Sequence, residues 1–186
     1  MKKIGTQSLE TDRLILRRFT AEDAEAMYRN WASDPEVTRY LTWPCHASPE
    51  ATRALLEQWT ELYADGGYFQ WAIQKKGAGE VIGCISVVKL EEEIDAAEIG
   101  YCLGRAFWGQ GIMPEALGAV MAFLFDEADV NRISARHDAN NPKSGRVMQK
   151  AGMVMEGVLR KAGRNNRGIC DLVCYAALRE DPRGPD

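Results

Sequence analysis

Residues 98–115 read EIGYCLGRAFWGQGIMPE, and the rest of the chain is organised around this stretch. Its first part alternates apolar with smaller or polar side chains, which predicts a β-strand. The alternating apolar residues are Ile99, Tyr101 and Leu103. Gly109 and Gly111 then allow the backbone to approach a ligand closely, and Pro114 suits the first turn of a helix. A strand, a glycine loop and a helix N-terminus in this order predict a site for a phosphate or pyrophosphate.

The spacing of the glycines excludes two other phosphate-binding loops. The stretch has no G-x-x-x-x-G-K-[ST] pattern, so it is not a Walker loop. The dinucleotide fingerprint needs a third glycine at the position where this chain has Pro114. From these residues alone, an ordinary loop in which the glycines only make turns is an equally open interpretation.

The loop resembles the acetyl-CoA loop of the GNAT superfamily of N-acetyltransferases. The resemblance lies in WGQGIMPEAL at residues 108–117, preceded by EIGYCL at residues 98–103. It is closest to the subgroup of Rim-type ribosomal-protein N-terminal acetyltransferases and spermidine acetyltransferases. The superfamily pattern is Gln/Arg-x-x-Gly-x-Gly/Ala, whose backbone N–H groups bind the pyrophosphate of acetyl-CoA. Gly111 matches its central glycine, whereas Trp108 and Met113 depart from its outer positions, as they do in this subgroup.

Two further stretches resemble the same subgroup, and they follow in the same order. Residues 9–28, LETDRLILRRFTAEDAEAMY, resemble its opening, and residues 141–160, NPKSGRVMQKAGMVMEGVLR, resemble its Asn-x-x-Ser helix. The resemblance extends to about Ala177. It implies a single GNAT-like α/β domain over residues 1–186, with an ordered core over residues 8–177.

The pattern along the chain fits that fold. Periodicity predicts about seven strands and four helices, with an irregular segment over residues 36–46. A helix separates the strand over residues 96–103 from the strand over residues 132–137, which requires a parallel step in the sheet. We therefore expect a mixed, mostly antiparallel sheet, and the resemblance implies that its parallel pair splays apart.

Composition narrows the choice of partners. The chain has 186 residues, a net charge of −4 and a pI near 5.4, which disfavours nucleic-acid binding and weakly favours a cationic substrate. No apolar run approaches the ~20 residues that span a bilayer. Met1-Lys2-Lys3 precedes no apolar segment, so we expect a cytoplasmic protein without a membrane partner. Five cysteines without a C-x-x-C pair, and only two histidines, argue against a metal site.

The resemblance implies transfer of an acetyl group from acetyl-CoA, the expected cosubstrate, to a primary amine by direct attack in a ternary complex. The amine could belong to a protein N-terminus, a polyamine or a small molecule. The loop residues expected to bind the cofactor are Trp108, Gly109, Gln110, Gly111, Ile112 and Met113. Backbone N–H groups at Cys102 and Leu103 would polarise the thioester carbonyl if the strands separate there. A fully paired, buried strand is the alternative.

Glu98 is our candidate for the general base, because the amine must lose a proton before it attacks. In a regular strand Glu98 faces away from Tyr101 and Leu103, so a bulge would be needed to bring both sets to one site. Glu98 could equally be a solvent-facing residue. The position at which some Rim-type enzymes carry a carboxylate falls near Gly163, so a water relay or the absence of a dedicated base stays open.

Ser144 is the candidate general acid, since its hydroxyl can donate a proton and resembling enzymes place this serine near the sulfur of CoA. The resemblance also implies that Asn141 holds the pantetheine arm of the cofactor. Asn141 could instead act only as a helix N-cap, and Ser144 could be an ordinary first-turn residue. Tyr101 is a second candidate acid, although a strand tyrosine more often packs in the core.

Aromatic residues could line a cleft for the amine substrate. The candidates are Trp31, Tyr40, Trp43 and Trp71, each of which could instead be a packing residue. The acidic run over residues 91–93 could attract a cation, but it also suits a solvated hairpin tip. An exposed edge strand near the C-terminus could pair with a second copy to form a homodimer. A catalytically silent CoA-binding sensor or interaction domain is the alternative function.

Overall fold

One sheet of eight strands runs through the part of the chain that the computed structural model describes, residues 1–182. The strands are β1 (Leu9–Glu10), β2 (Leu14–Arg17), β3 (Gln70–Lys75), β4 (Val81–Glu91), β5 (Ala96–Leu103), β6 (Arg132–Asp138), β7 (Val154–Asn165) and β8 (Gly168–Leu178). Their order across the sheet is β1-β2-β3-β4-β5-β6-β8-β7. All neighbouring pairs in this part of the chain are antiparallel except β5–β6. The mixed, mostly antiparallel sheet is therefore confirmed.

Five α-helices accompany the sheet within residues 1–182. They are α1 (Ala24–Met27), α2 (Pro35–Thr38), α3 (Pro49–Leu62), α4 (Ile112–Asp126) and α5 (Pro142–Lys150), and α1 continues into a π-helical turn at Tyr28–Ala32. The sequence pattern misses the two-residue β1, and it misses α2, for which it predicts an irregular segment. The helix forms because the Asp34 carboxylate accepts a hydrogen bond from the Glu36 N–H and Pro35 suits the first helical position.

Each face of the sheet carries its own hydrophobic core. α4 and α5 cover one face, where Leu117 and Ile133 are fully buried. α1 and α3 cover the other face, where Phe19 and Leu56 are buried. Because side chains alternate along a strand, neighbouring residues of β5 face different layers of the molecule. This alternation determines which residues of β5 can act together.

The parallel pair splays apart in its second half. β5 and β6 pair from Ala96 opposite Arg132 to Ile99 opposite Ala135, and the pairing ends there. Beyond that point β5 stays paired to β4 as far as Leu103, and β6 stays paired to β8. A gap therefore opens between residues 100–103 of β5 and residues 136–138 of β6, as the sequence analysis predicts.

The described residues bear in turn on the extent of the domain, on the homodimer and on membrane-spanning helices. The predicted single domain covers residues 1–186, of which residues 183–186 lie outside the described residues, so its extent stays a prediction. β7 lies at an edge of the sheet and is mostly exposed, but the homodimer also stays a prediction. Within residues 1–182, no helix combines the length and the apolar character needed to cross a bilayer.

Candidate active site

The glycine loop forms a cradle of unpaired N–H groups at the start of α4. Gly109 and Gly111 have φ angles of +76° and +75°, a region that side chains with a Cβ rarely adopt. Gly111 is the N-cap of α4. Within residues 1–182, no backbone or side-chain acceptor binds the N–H groups of residues 109–113. Five consecutive free donors at the positive end of a helix dipole can bind a pyrophosphate.

Side chains from the turn between β1 and β2 brace this cradle. The Glu115 carboxylate accepts hydrogen bonds from Thr11 Oγ1 (2.5 Å) and Arg13 Nε (2.6 Å). Arg13 Nη1 also donates to the carbonyl of Gln110, at 3.0 Å. Burial alone would raise the pKa of Glu115, but the hydrogen bonds from Thr11 and Arg13 lower it. The loop is thus held by a contact that the sequence analysis does not identify.

Trp108 links the end of β5 to the start of α5. Its indole Nε1 donates to the carbonyl of Leu103 at 2.7 Å. Lys143 places its ammonium group 5.4 Å from the centre of the Trp108 ring, a cation–π contact. Lys143 can therefore supply positive charge to a bound pyrophosphate, whereas the charge of Arg13 is paired with Glu115.

Only one of the two backbone groups expected to polarise the carbonyl turns toward the gap. The Gly104 N–H donates to the carbonyl of Ile82 on β4 at 2.8 Å, and Cys102 lies opposite Cys84 on the same strand. Backbone groups along a strand alternate between its two edges, so the Cys102 amide bonds to β4 as well. The Leu103 amide then points into the gap. The prediction that the Cys102 N–H polarises the carbonyl is therefore corrected, because this group pairs with β4. The Leu103 N–H is the donor that is exposed to the gap.

The two candidate acids, Tyr101 and Ser144, contact each other. The Tyr101 hydroxyl donates to the Ser144 carbonyl at 3.0 Å, and it lies 3.0 Å from Ser144 Oγ. Burial raises the pKa of Tyr101 well above its usual range, although the hydrogen bond with Ser144 opposes this shift. The phenol therefore keeps its proton at neutral pH. A hydroxyl pair of this kind, next to the gap, can deliver a proton to a leaving thiolate.

The Asn141 side chain does not cap α5, although the sequence leaves that role open. It precedes α5 as the N-cap residue, but its side chain makes no capping hydrogen bond. Its backbone N–H donates to the carbonyl of Asp138 (2.7 Å), and its carbonyl accepts from Ser144 (3.1 Å). Within the described residues its side-chain amide has no partner, so it can bind a ligand in the gap.

Glu98 lies on the face of β5 opposite to Tyr101, as strand alternation requires. Both of its carboxylate oxygens accept hydrogen bonds from Arg136 on β6, at 2.9 Å and 2.6 Å. A register shift between β4 and β5 occurs beside this residue, but it does not bring Glu98 to the face of Tyr101. Glu98 can therefore reach the gap only from the α1–α3 side, and only if the contact with Arg136 loosens.

The four aromatic candidates divide into two pairs. Trp71 has no exposed surface; it packs against Phe69 and Phe123, and its Nε1 donates to the carbonyl of Gln7. Trp31 is also fully buried, in the core under α1 and α3. Neither tryptophan reaches a cleft in this structure, because both fill a core.

Tyr40 and Trp43, in contrast, lie in the partly exposed segment after α2. The Tyr40 hydroxyl accepts a hydrogen bond from Arg167 at 3.3 Å, and the Trp43 carbonyl accepts one from Asn166 at 2.8 Å. Asn166 and Arg167 form the turn between β7 and β8. The structure therefore brings these two aromatic residues, but not the two buried tryptophans, to a common surface.

Asp138 joins the two halves of the site at the end of β6. Its carboxylate accepts hydrogen bonds from the Asn140 N–H (2.8 Å) and from Asn165 Nδ2 (2.7 Å). Burial alone would raise the pKa of Asp138, but these hydrogen bonds lower it. The residue connects the segment that leads to Asn141 with the β7–β8 turn. Sequence reasoning misses it, because no motif includes it.

Within residues 1–182, no group of His, Cys, Asp and Glu side chains is arranged to hold a metal ion. The site consists instead of an anion cradle on one side of a strand gap, a hydroxyl pair beside the gap, and a surface formed by the segment after α2 on the other side. This arrangement suits a cofactor with a pyrophosphate and a thioester that extends into the gap.

Several known proteins that are similar to this chain are named as acetyltransferases. Residues 13–154 match the family model described as an acetyltransferase (GNAT) domain. The chain is 30% identical over 178 residues to the uncharacterised N-acetyltransferase p20 of Bacillus licheniformis, with 96% of this chain and 99% of that protein covered. It is 32% identical over 139 residues to the ribosomal-protein-serine acetyltransferase of Escherichia coli (strain K12), with 74% and 76% covered.

A solved structure of similar fold contains a bound cofactor. It is RimL, a ribosomal L7/L12 alpha-N-protein acetyltransferase in complex with coenzyme A. The TM-score is 0.81 at 26% identity, and the match covers 92% of this chain and 98% of that chain. The fold and the cofactor that the family resemblance implies therefore agree with those of a similar protein.

Proposed function

The chain belongs to the GNAT acetyltransferase family, and we propose that it acetylates the amino terminus of a protein or peptide by direct attack in a ternary complex. It is an acetyl-CoA-dependent N-acetyltransferase, and acetyl-CoA is its cosubstrate. The observation that carries the proposal is the strand gap between β5 and β6, which opens directly beside the five free N–H groups of residues 109–113. Polyamines and small amines are the alternative acceptors.

The peptide acceptor is supported by the relatives and by the shape of the site. Two similar proteins are named for acetylation of ribosomal proteins, one of them at an α-amino group. In this chain Tyr40 and Trp43 follow α2 and are only partly buried, and Trp43 packs against the core beneath α1 and α3. An extended peptide can lie on such a surface, with its terminal amine in the gap.

Each residue that contacts acetyl-CoA would have one role. The N–H groups of residues 109–113 would bind the pyrophosphate of acetyl-CoA, and the Asn141 amide would hold the pantetheine arm. The Leu103 N–H would donate a hydrogen bond to the thioester carbonyl, where negative charge develops as the amine attacks. Tyr101, oriented by Ser144, would donate its proton to the departing sulfur and recover it from solvent.

Glu98 would accept the proton of the amine, directly or through a water molecule. Its carboxylate lies on the α1–α3 face of β5, where the acceptor would bind, and its side chain is 17% exposed. Arg136 occupies both oxygens in this structure, so the proposal requires that a bound acceptor displaces part of that ion pair. A base acting through water is the form of the mechanism that needs the smallest change.

The Glu98→Gln variant tests this role. We expect kcat at neutral pH to fall by about 100-fold, because a general base contributes roughly that factor or more, and we expect the acidic limb of the pH–rate profile to disappear. The matched control is Glu156→Gln, since Glu156 also accepts two hydrogen bonds from one arginine, Arg132. A Glu98→Gln enzyme with the rate and pH profile of wild type would exclude Glu98 as the base.

Turnover decides between the proposed function and a silent CoA-binding domain. The purified protein is incubated with acetyl-CoA and a panel of peptides, polyamines and small amines, and release of free thiol is measured. We expect steady release with at least one peptide and formation of an N-terminally acetylated product in equal amount. Tight binding of acetyl-CoA without release across the panel would favour the sensor.

A further inference from the structure

A cavity of about 540 Å³ lies where the segment after α2 meets the turn between β7 and β8. Its lining residues are Thr42, Arg164, Asn165, Asn166, Arg167 and Gly168. Asn165 donates a hydrogen bond to Asp138 at the end of β6, at 2.7 Å, so the cavity adjoins the open end of the strand gap. Asn166 donates to the carbonyls of Thr38 and Trp43, which fixes the turn against the segment.

The cavity carries two arginines that form no salt bridge within residues 1–182. Arg164 and Arg167 are both exposed, and neither forms a salt bridge with a carboxylate of this part of the chain. Arg167 stacks over the ring of Tyr40, 5.7 Å from its centre, and this contact restricts where its guanidinium can point. A fixed guanidinium loses less conformational freedom when it binds a ligand.

The acidic side chains at this end of the molecule already have partners. Asp34 pairs with Arg105 at 3.0 Å, and Glu98 pairs with Nε and Nη2 of Arg136. Glu36 lies 3.5 Å from Arg39.

Asp138, the buried carboxylate beside the cavity, accepts hydrogen bonds from Asn140 and Asn165. These partners are uncharged, so Asp138 keeps its negative charge, but it is buried and its carboxylate is already hydrogen-bonded. The exposed arginines of the cavity can therefore pair with an external anion, although the chain as a whole has a net charge of −4.

We propose that this cavity binds an acidic side chain of the acceptor peptide and so selects N-termini that are followed by aspartate or glutamate. The inference rests on the proposed function, and it replaces the cationic substrate that the overall charge favours. Arg164 and Arg167 supply donors in the fork geometry that matches a carboxylate. They are specificity-determining residues and take no part in the acetyl transfer.

The test uses three peptides with the same N-terminal residue and either acidic, neutral amide or basic side chains at the next three positions. We expect wild type to prefer the acidic over the basic peptide by at least about tenfold in kcat/KM, mainly through KM, and to lose this preference as salt is raised. Arg164→Glu and Arg167→Glu should each reduce the preference by about tenfold or reverse it. The affinity for acetyl-CoA should stay within about twofold of wild type, since neither residue contacts the cradle.

The control is Arg160→Glu, an identical charge change on β7 outside the cavity, which should leave the preference unchanged. Equal kcat/KM for the three peptides, or an equal effect of Arg160→Glu and Arg164→Glu, would overturn the inference while the N-acetyltransferase proposal stands. Binding of the N-acetylated peptides to the protein with CoA is measured separately. If no peptide is acetylated, but the protein binds the acidic product selectively and Arg164→Glu abolishes that binding, the result would support the cavity as an anion site. It would reject peptide acetylation as the function.

Discussion

Gly111→Glu is expected to weaken acetyl-CoA binding by at least about 100-fold. Gly111 has a φ of +75°, so any side chain strains the loop, and a Cβ there would lie 3.5 Å from Arg13 Nη2. The added carboxylate would also lie beside the pyrophosphate. Loss of two charge-assisted hydrogen bonds, each contributing about 1.5–3 kcal/mol, corresponds to a change of this size in the dissociation constant. The measurement is calorimetric titration of the folded variant.

Gly77→Glu is the matched control for this variant. Gly77 has a φ of +79° in the turn between β3 and β4, and a Cβ there meets no other atom within 4 Å. The two variants therefore share the backbone strain and the added charge, and only one of them touches the cradle. We expect Gly77→Glu to bind acetyl-CoA like wild type. Equal affinities for Gly111→Glu and wild type would show that residues 109–113 do not bind the pyrophosphate.

Tyr101→Phe is expected to reduce kcat by about 100-fold with little change in the affinity for acetyl-CoA. In the proposed mechanism this buried phenol donates the proton to the leaving sulfur, and general acid catalysis contributes about that factor or more. Burial raises the pKa of Tyr101, so the phenol stays protonated as pH rises through the range in which an exposed tyrosine titrates. Wild type should therefore show no alkaline loss of activity from this group below pH ~10.

Tyr175→Phe is the control for the loss of a buried phenol. Tyr175 lies in the same core and accepts a hydrogen bond from Gln149 at 3.2 Å, and within residues 1–182 its hydroxyl forms no hydrogen bond with Ser144. We expect its activity to stay within about twofold of wild type. Ser144→Ala should lower kcat less than Tyr101→Phe, and the double variant should be no slower than Tyr101→Phe, because the two hydroxyls act as one unit. A fully active Tyr101→Phe would remove the tyrosine from the mechanism.

The features that could be predicted from the sequence are local or follow from chain order. The glycine loop is encoded by two glycines and a proline within a few residues, so its backbone and the helix N-terminus follow directly. The parallel step follows from a helix that separates two strands. Neither requires knowledge of which distant residues meet.

The contacts that complete the site lie far apart in the chain. Arg13 and Glu115 are 102 residues apart, and Tyr101 and Ser144 are 43 residues apart. Their meeting depends on how the helices pack on the sheet, which periodicity does not report. The pair of Glu98 with Arg136 escapes the sequence analysis for the same reason.

Residue type alone also fails to distinguish a core aromatic from a surface one. Trp31 and Trp71 are fully buried, whereas Tyr40 and Trp43 stay partly exposed. Net charge averages over the whole surface, so it does not report the charge at one site. An acidic chain can still carry a pair of arginines without salt-bridge partners beside its site when most nearby carboxylates are engaged by other arginines.

The most direct test of the account is calorimetric titration of wild-type protein with acetyl-CoA, with adenosine and with pantetheine. The central claim is that the N–H groups of residues 109–113 bind the pyrophosphate while the gap between β5 and β6 receives the thioester arm. It predicts micromolar binding of acetyl-CoA and at least about 100-fold weaker binding of each fragment that lacks the pyrophosphate. Equal affinity for acetyl-CoA and adenosine, or no binding of acetyl-CoA, would contradict it.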